Sequence, residues 1–137
     1  MSGITYDPET ILKLDSSYAK ICFADKDFSL SDRVGQRFDA WYGGRDWLKA
    51  QNPAVGTAFY RRCSGGINVF YLIIKTHNYS KATSDNIDAT LANMISQLAG
   101  YAITKVVFSG IVPTEITTDI LQTKLAALVT SAELSIM

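Results

Sequence analysis

The segment Asn68–Lys75, which reads Asn-Val-Phe-Tyr-Leu-Ile-Ile-Lys, constrains the fold more than any other stretch. It is almost continuously apolar, β-branched and aromatic, and too short for a free-standing helix. Such a run reads as a strand covered on both faces. A polar stretch follows, and then a long amphipathic helical pattern. In open α/β sheets the ligand crevice lies at the carboxyl ends of the strands. Lys75 is therefore either a reactive group or an ordinary solvated lysine at a strand end.

Around this strand the remaining elements follow in order. Ile4–Tyr6 is a short extended piece, and Pro8 starts an irregular turn that runs to Leu14. Tyr18–Phe23 reads as a strand. Leu30, Val34, Phe38 and Trp41 recur at helical spacing, with Ser29 or Ser31 as cap and Gly43-Gly44 as the left-handed exit. A short helix Arg45–Ala50 follows, and Asn52-Pro53 breaks it. Gly56–Arg62 and Asn68–Lys75 flank Cys63-Ser64-Gly65-Gly66, which reads as a hairpin turn rather than a phosphate loop because strands lie on both sides. Thr83–Tyr101 is the clearest helix, with Ile87, Leu91, Met94, Ile95 and Leu98 on one stripe. Lys105–Ser109 is a buried strand, Ile116–Val129 an amphipathic helix and Glu133–Met137 a last strand. Strands alternating with helices predict a three-layer α/β/α sandwich with a mixed central sheet. At 137 residues the chain is expected to form one domain, 1–137.

Thirteen basic residues balance thirteen acidic ones, which argues against general affinity for nucleic acid or an anionic membrane surface. No apolar run approaches the roughly 18 residues of a membrane span. Met1–Asp7 has no basic-then-apolar signal pattern, so a cytoplasmic location is expected. Two cysteines, Cys22 and Cys63, and one histidine, His77, are too few for a zinc site, and both thiols are expected to be buried and reduced. No metal and no cofactor are expected.

Several strings, taken in order, resemble a macrodomain, the ADP-ribose-binding fold. They are Ile4-Thr5-Tyr6, the helix end Phe38-Asp39-Ala40-Trp41-Tyr42-Gly43-Gly44, and Phe70-Tyr71-Leu72-Ile73-Ile74-Lys75. The helix Ile87–Gly100, the strand Val106–Ser109 and the closing helix and strand complete the series. The resemblance is closest to the small single-domain type that cleaves ADP-ribose from acidic side chains. It implies a first ligand loop at Ser31, Asp32, Arg33, Val34 and Gly35, and a second at Gly110, Ile111, Val112, Pro113 and Thr114. It also implies a nucleophilic lysine at Lys75, with Glu115 nearest to the assisting carboxylate.

The ligand loops depart from the family pattern. The first loop is glycine-rich in the family so that backbone can approach the ligand. Here only Gly35 remains, and Asp32 adds negative charge near a diphosphate site. Pro113 removes one amide donor from the second loop. The acidic contact to the adenine amine reads near Glu9-Thr10.

Each candidate has a plainer role beside the chemical one. A lysine nucleophile must lose its proton near neutral pH, which needs desolvation or a cationic neighbour. Glu115 fits a general acid or base, or a charge favoured in the first turn of a helix. Arg33 fits a phosphate contact or a surface arginine. His77 fits a ligand contact or an exposed loop residue. Trp41, Tyr42 and Trp47 fit a base-stacking shelf, with core packing the better expectation for Trp41. Arg61 and Arg62 point to opposite faces of their strand. Three functions stand open. The first is a degenerate module that binds ADP-ribose or a related nucleotide weakly, with reduced or no catalysis. The second is a scaffold that has lost the nucleotide and engages a protein partner. The third is a de-ADP-ribosylating hydrolase using Lys75.

Overall fold

The computed structural model describes residues 18–30, 33–63, 66–77, 80–101, 103, 105–108 and 133–136. Its elements are β1 (Tyr18–Asp25), α1 (Arg33–Tyr42), α2 (Arg45–Gln51), β2 (Ala58–Cys63), β3 (Ile67–Lys75), α3 (Ser84–Leu98) with a closing 3-10 turn (Ala99–Tyr101), β4 (Lys105–Phe108) and β5 (Glu133–Ile136). The sheet order is β2-β3-β1-β4-β5. β1 runs parallel to β3 and β4, β4 runs parallel to β5, and β2 is antiparallel to β3. The mixed sheet and the hairpin agree with the sequence reading. The extended piece Ile4–Tyr6, the turn that runs to Leu14 and the helix expected over Ile116–Val129 lie outside the described residues.

β3 is apolar on both faces because helices cover both. Phe70, Leu72 and Ile74 face α3 and join Ile87, Leu91, Met94 and Leu98, with Ala19, Ile21 and Val106 from neighbouring strands. Val69, Tyr71 and Ile73 face the other way, toward Phe38 of α1 and Leu48 of α2, with Cys22, Ala24, Phe28 and Leu30. Six consecutive residues, Val69–Ile74, are buried. Removing a core side chain of this kind, as in Leu72→Ala, costs about 2–5 kcal/mol. The two-residue period thus builds two cores from one strand.

α3 begins where Thr83 caps it: the Thr83 hydroxyl accepts the Asn86 amide at 3.2 Å. The same helix also holds the start of β2, one of the two outer strands of the described sheet. The Ala58 amide donates to Asn93 Oδ1 at 2.9 Å, and Gln97 Nε2 donates to the Ala58 carbonyl at 2.9 Å.

Two local expectations are corrected. Leu30 shares the helical spacing of α1 but lies outside it, with φ 46°. Trp41 is 48% exposed rather than in the core, and the half-buried aromatic of that turn is Tyr42. The i to i+4 step from Phe38 lands on Tyr42, and the i to i+3 step on Trp41. The helix turns the former inward, where it meets Phe38 edge to face at 5.5 Å.

Candidate functional site

The parallel strands β1 and β3 end side by side, with Asp25 opposite Lys75 after a register shift between Ala24 and Asp25. The Lys26 amide donates to the Lys75 carbonyl at 2.9 Å, which carries the pairing one residue past the strand. Lys75 is half-buried at this tip.

The chain after β1 folds back under itself. The Phe28 amide returns to the Asp25 carbonyl at 3.0 Å. The Asp25 carboxylate, only 4% exposed, accepts the Ser29 amide at 3.2 Å and the Ser29 hydroxyl. Phe28 and Leu30 both take left-handed backbone, φ 50° and 46°. Each such residue costs about 1–2 kcal/mol. Both side chains are buried, which returns about 1.5–3 kcal/mol apiece, so the turn is favourable on balance.

Side chains then tie the mouth to its surroundings. Lys26 Nζ donates to Asn52 Oδ1 at 2.7 Å and to the Pro53 carbonyl at 3.1 Å, joining the loop to the end of α2. Asn52 holds left-handed backbone, φ 50°, and its amide closes on the Lys49 carbonyl. His77 Nδ1 lies 2.5 Å from Asp27 Oδ2 and links the loops after β3 and β1. Arg45 Nη1 reaches the Ser29 carbonyl at 3.4 Å.

Comparisons with solved structures bear on what this frame is. The macrodomain of Mycobacterium tuberculosis DarG superposes with a TM-score of 0.79 at 16% identity, covering 99% of this chain and 97% of that one. The Streptomyces coelicolor macrodomain protein gives 0.72 at 8% identity over 99% and 97%. This chain has the macrodomain fold. Thermosipho africanus DarTG in complex with ADP-ribose gives a TM-score of 0.70 at 10% identity, covering 88% of this chain and 38% of that one. No protein-family model matches the sequence, and the search of curated proteins found no match.

Within the macrodomain frame, the residues expected from sequence fall into three groups. Lys75 stands at the carboxyl end of β3, at the mouth. Arg33, Val34 and Gly35 form the first turn of α1. Ser31, Asp32, Gly110, Ile111, Val112, Thr114 and Glu115 lie outside the described residues. Asp25, Lys26 and Asp27 are not among the candidates that the sequence singles out. The signal for Asp25 was a strand ending in an aspartate with a serine four residues on, a spacing that allows a carboxylate to hold its own turn. Nothing local marked Asp27 as the partner of His77, fifty residues away.

Proposed function

We propose that this chain binds ADP-ribose or a related nucleotide weakly, in the crevice at the carboxyl ends of β1 and β3, with reduced or no catalysis. The observation that carries this reading is the mouth itself: Asp25 and Lys75 in register at the tips of two parallel central strands, in a macrodomain fold. Ligand crevices of open α/β sheets lie at such tips. The DarTG of Thermosipho africanus, which shares the fold, is in complex with ADP-ribose, and that supports the ligand class. Weakness follows from the loop sequences. In the two loops that the resemblance assigns to the ligand, Asp32 brings a negative charge and Pro113 lacks an amide donor.

Isothermal titration calorimetry with ADP-ribose tests this. The expected dissociation constant is on the order of 1 mM, equivalent to about −4 kcal/mol. No heat at millimolar ligand overturns the reading. Turnover of an aspartate- or glutamate-linked ADP-ribose substrate that is lost in Lys75→Ala moves the reading to a hydrolase with a lysine nucleophile.

A scaffold for a protein partner is the second reading, and the aromatic exposure on the α1–α2 elbow favours it. Trp41 and Trp47 are 48% and 50% exposed. Tryptophan is enriched at the centres of protein interfaces. A silent calorimeter together with a captured partner lost in the Trp41→Ala, Trp47→Ala double variant would establish it.

A further inference from the structure

The loops that follow β1 and β3 leave the sheet side by side, and a side-chain contact ties them together. His77 Nδ1 lies 2.5 Å from Asp27 Oδ2, across fifty residues of sequence. An ionised carboxylate only accepts, so the imidazole donates its Nδ1 hydrogen to Asp27. The contact sits two residues past the register pair of Asp25 and Lys75, at the strand ends where an open α/β sheet takes its ligand.

Both partners are held from behind. The Phe28 and Ser29 amides return to Asp25, and Lys26 Nζ is bonded to Asn52 and Pro53, so Asp27 is the tip of a turn pinned before and after it. The His77 carbonyl accepts the Ser80 amide at 3.1 Å, which turns the chain back after β3. The side chains of Asp27 and His77 are 48% and 40% exposed, so both are open to a solute at the mouth. An exposed pair of this kind is weak enough for a ligand to displace.

ADP-ribose carries a diphosphate. A phosphate oxygen accepts from an imidazole N–H, and here an internal carboxylate already takes that hydrogen. The same carboxylate sets a negative charge where the charge of the ligand would come. Asp27 thus acts on a phosphate twice, as a rival acceptor and as a like charge.

We propose that Asp27 is an internal competitor for the phosphates of the nucleotide, holding His77 and lowering the affinity of the crevice for diphosphates. This inference rests on the nucleotide reading of the crevice. It gives weak binding a cause in an observed contact, separate from the loop residues Asp32 and Pro113.

The test is calorimetry of this chain, Asp27→Ala, His77→Ala and the double variant, each with ADP-ribose and with adenosine, which has no phosphate. Asp27→Ala is expected to bind ADP-ribose about two- to five-fold tighter at low salt. The gain shrinks at high salt, which screens the like-charge part. It is also smaller in the His77→Ala background, where the released donor is missing. Adenosine binds the parent and Asp27→Ala alike. A parent that binds ADP-ribose while Asp27→Ala binds it no more tightly overturns this inference and leaves the nucleotide reading standing. A gain that adenosine shares, or one undiminished by His77→Ala, overturns it too. Silence from the parent and every variant with ADP-ribose overturns both.

Discussion

The Lys26 amide and the Lys75 carbonyl are hydrogen-bonded at 2.9 Å, so main chain joins the tips of β1 and β3. This main-chain bond does not depend on the Lys75 side chain. Lys75→Ala is expected to leave urea stability within about 1 kcal/mol of the parent. The same variant is expected to weaken ADP-ribose binding several-fold, because the half-buried amine at the mouth is lost. A stability loss of several kcal/mol would show that Lys75 is structural instead.

Asp25 holds the turn that shapes the mouth. Its carboxylate accepts the Ser29 amide and hydroxyl from a site nearly closed to water. Asp25→Ala leaves both donors without their acceptor and is expected to cost about 1–3 kcal/mol in urea melts. Asp25→Asn keeps one acceptor oxygen and is expected to cost less. Equal losses for the two would mean that the charge and the second oxygen, not a single carbonyl acceptor, are what Ser29 requires.

Gly44 has two reasons to be glycine. Its φ is 75°, and an added Cβ would lie 2.7 Å from both terminal nitrogens of Arg61. Gly44→Ala is expected to destabilise by about 1–2 kcal/mol from the backbone alone, with the Arg61 contact adding to it. In a double-mutant cycle with Arg61→Ala the added part should vanish while the backbone part stays. Strict additivity would show that Arg61 moves aside without cost.

Alkaline pH should weaken the fold through the buried tyrosines. Burial, reinforced by Cys63, raises Tyr42 from 10.0 to about 12, and burial drives Tyr71 up as well. A phenol that titrates higher when folded keeps its proton in the native state after the unfolded chain has lost it. Stability is thus fully present below pH 10 and falls as pH rises toward 12. Urea midpoints measured across this range should decline for the parent and flatten in the Tyr42→Phe, Tyr71→Phe double variant. A parent profile as flat as that of the variant would contradict the burial of these hydroxyls.

The layered sheet was legible because Val69–Ile74 has no polar face, and only a doubly covered strand tolerates that. The stripe of α3 was legible because Ile87, Leu91, Met94 and Leu98 repeat at the helical period. The mouth was harder to read. Which residues end up together there is set by the β1–β3 register, and register is a long-range property that no local string carries. Asp27 and His77 meet for that reason alone. The Trp41 expectation failed because hydrophobicity ranks tryptophan above tyrosine, whereas the rotation of α1 about Phe38 decides which of the two points inward.

The two amides of Asn93 and Gln97 already occupy the start of the outer strand β2 at Ala58. A neighbouring polypeptide trying to add itself to the sheet at that point must first dislodge both, and gains no net hydrogen bonds by doing so. One face of a single helix thereby makes strand addition at Ala58 unprofitable.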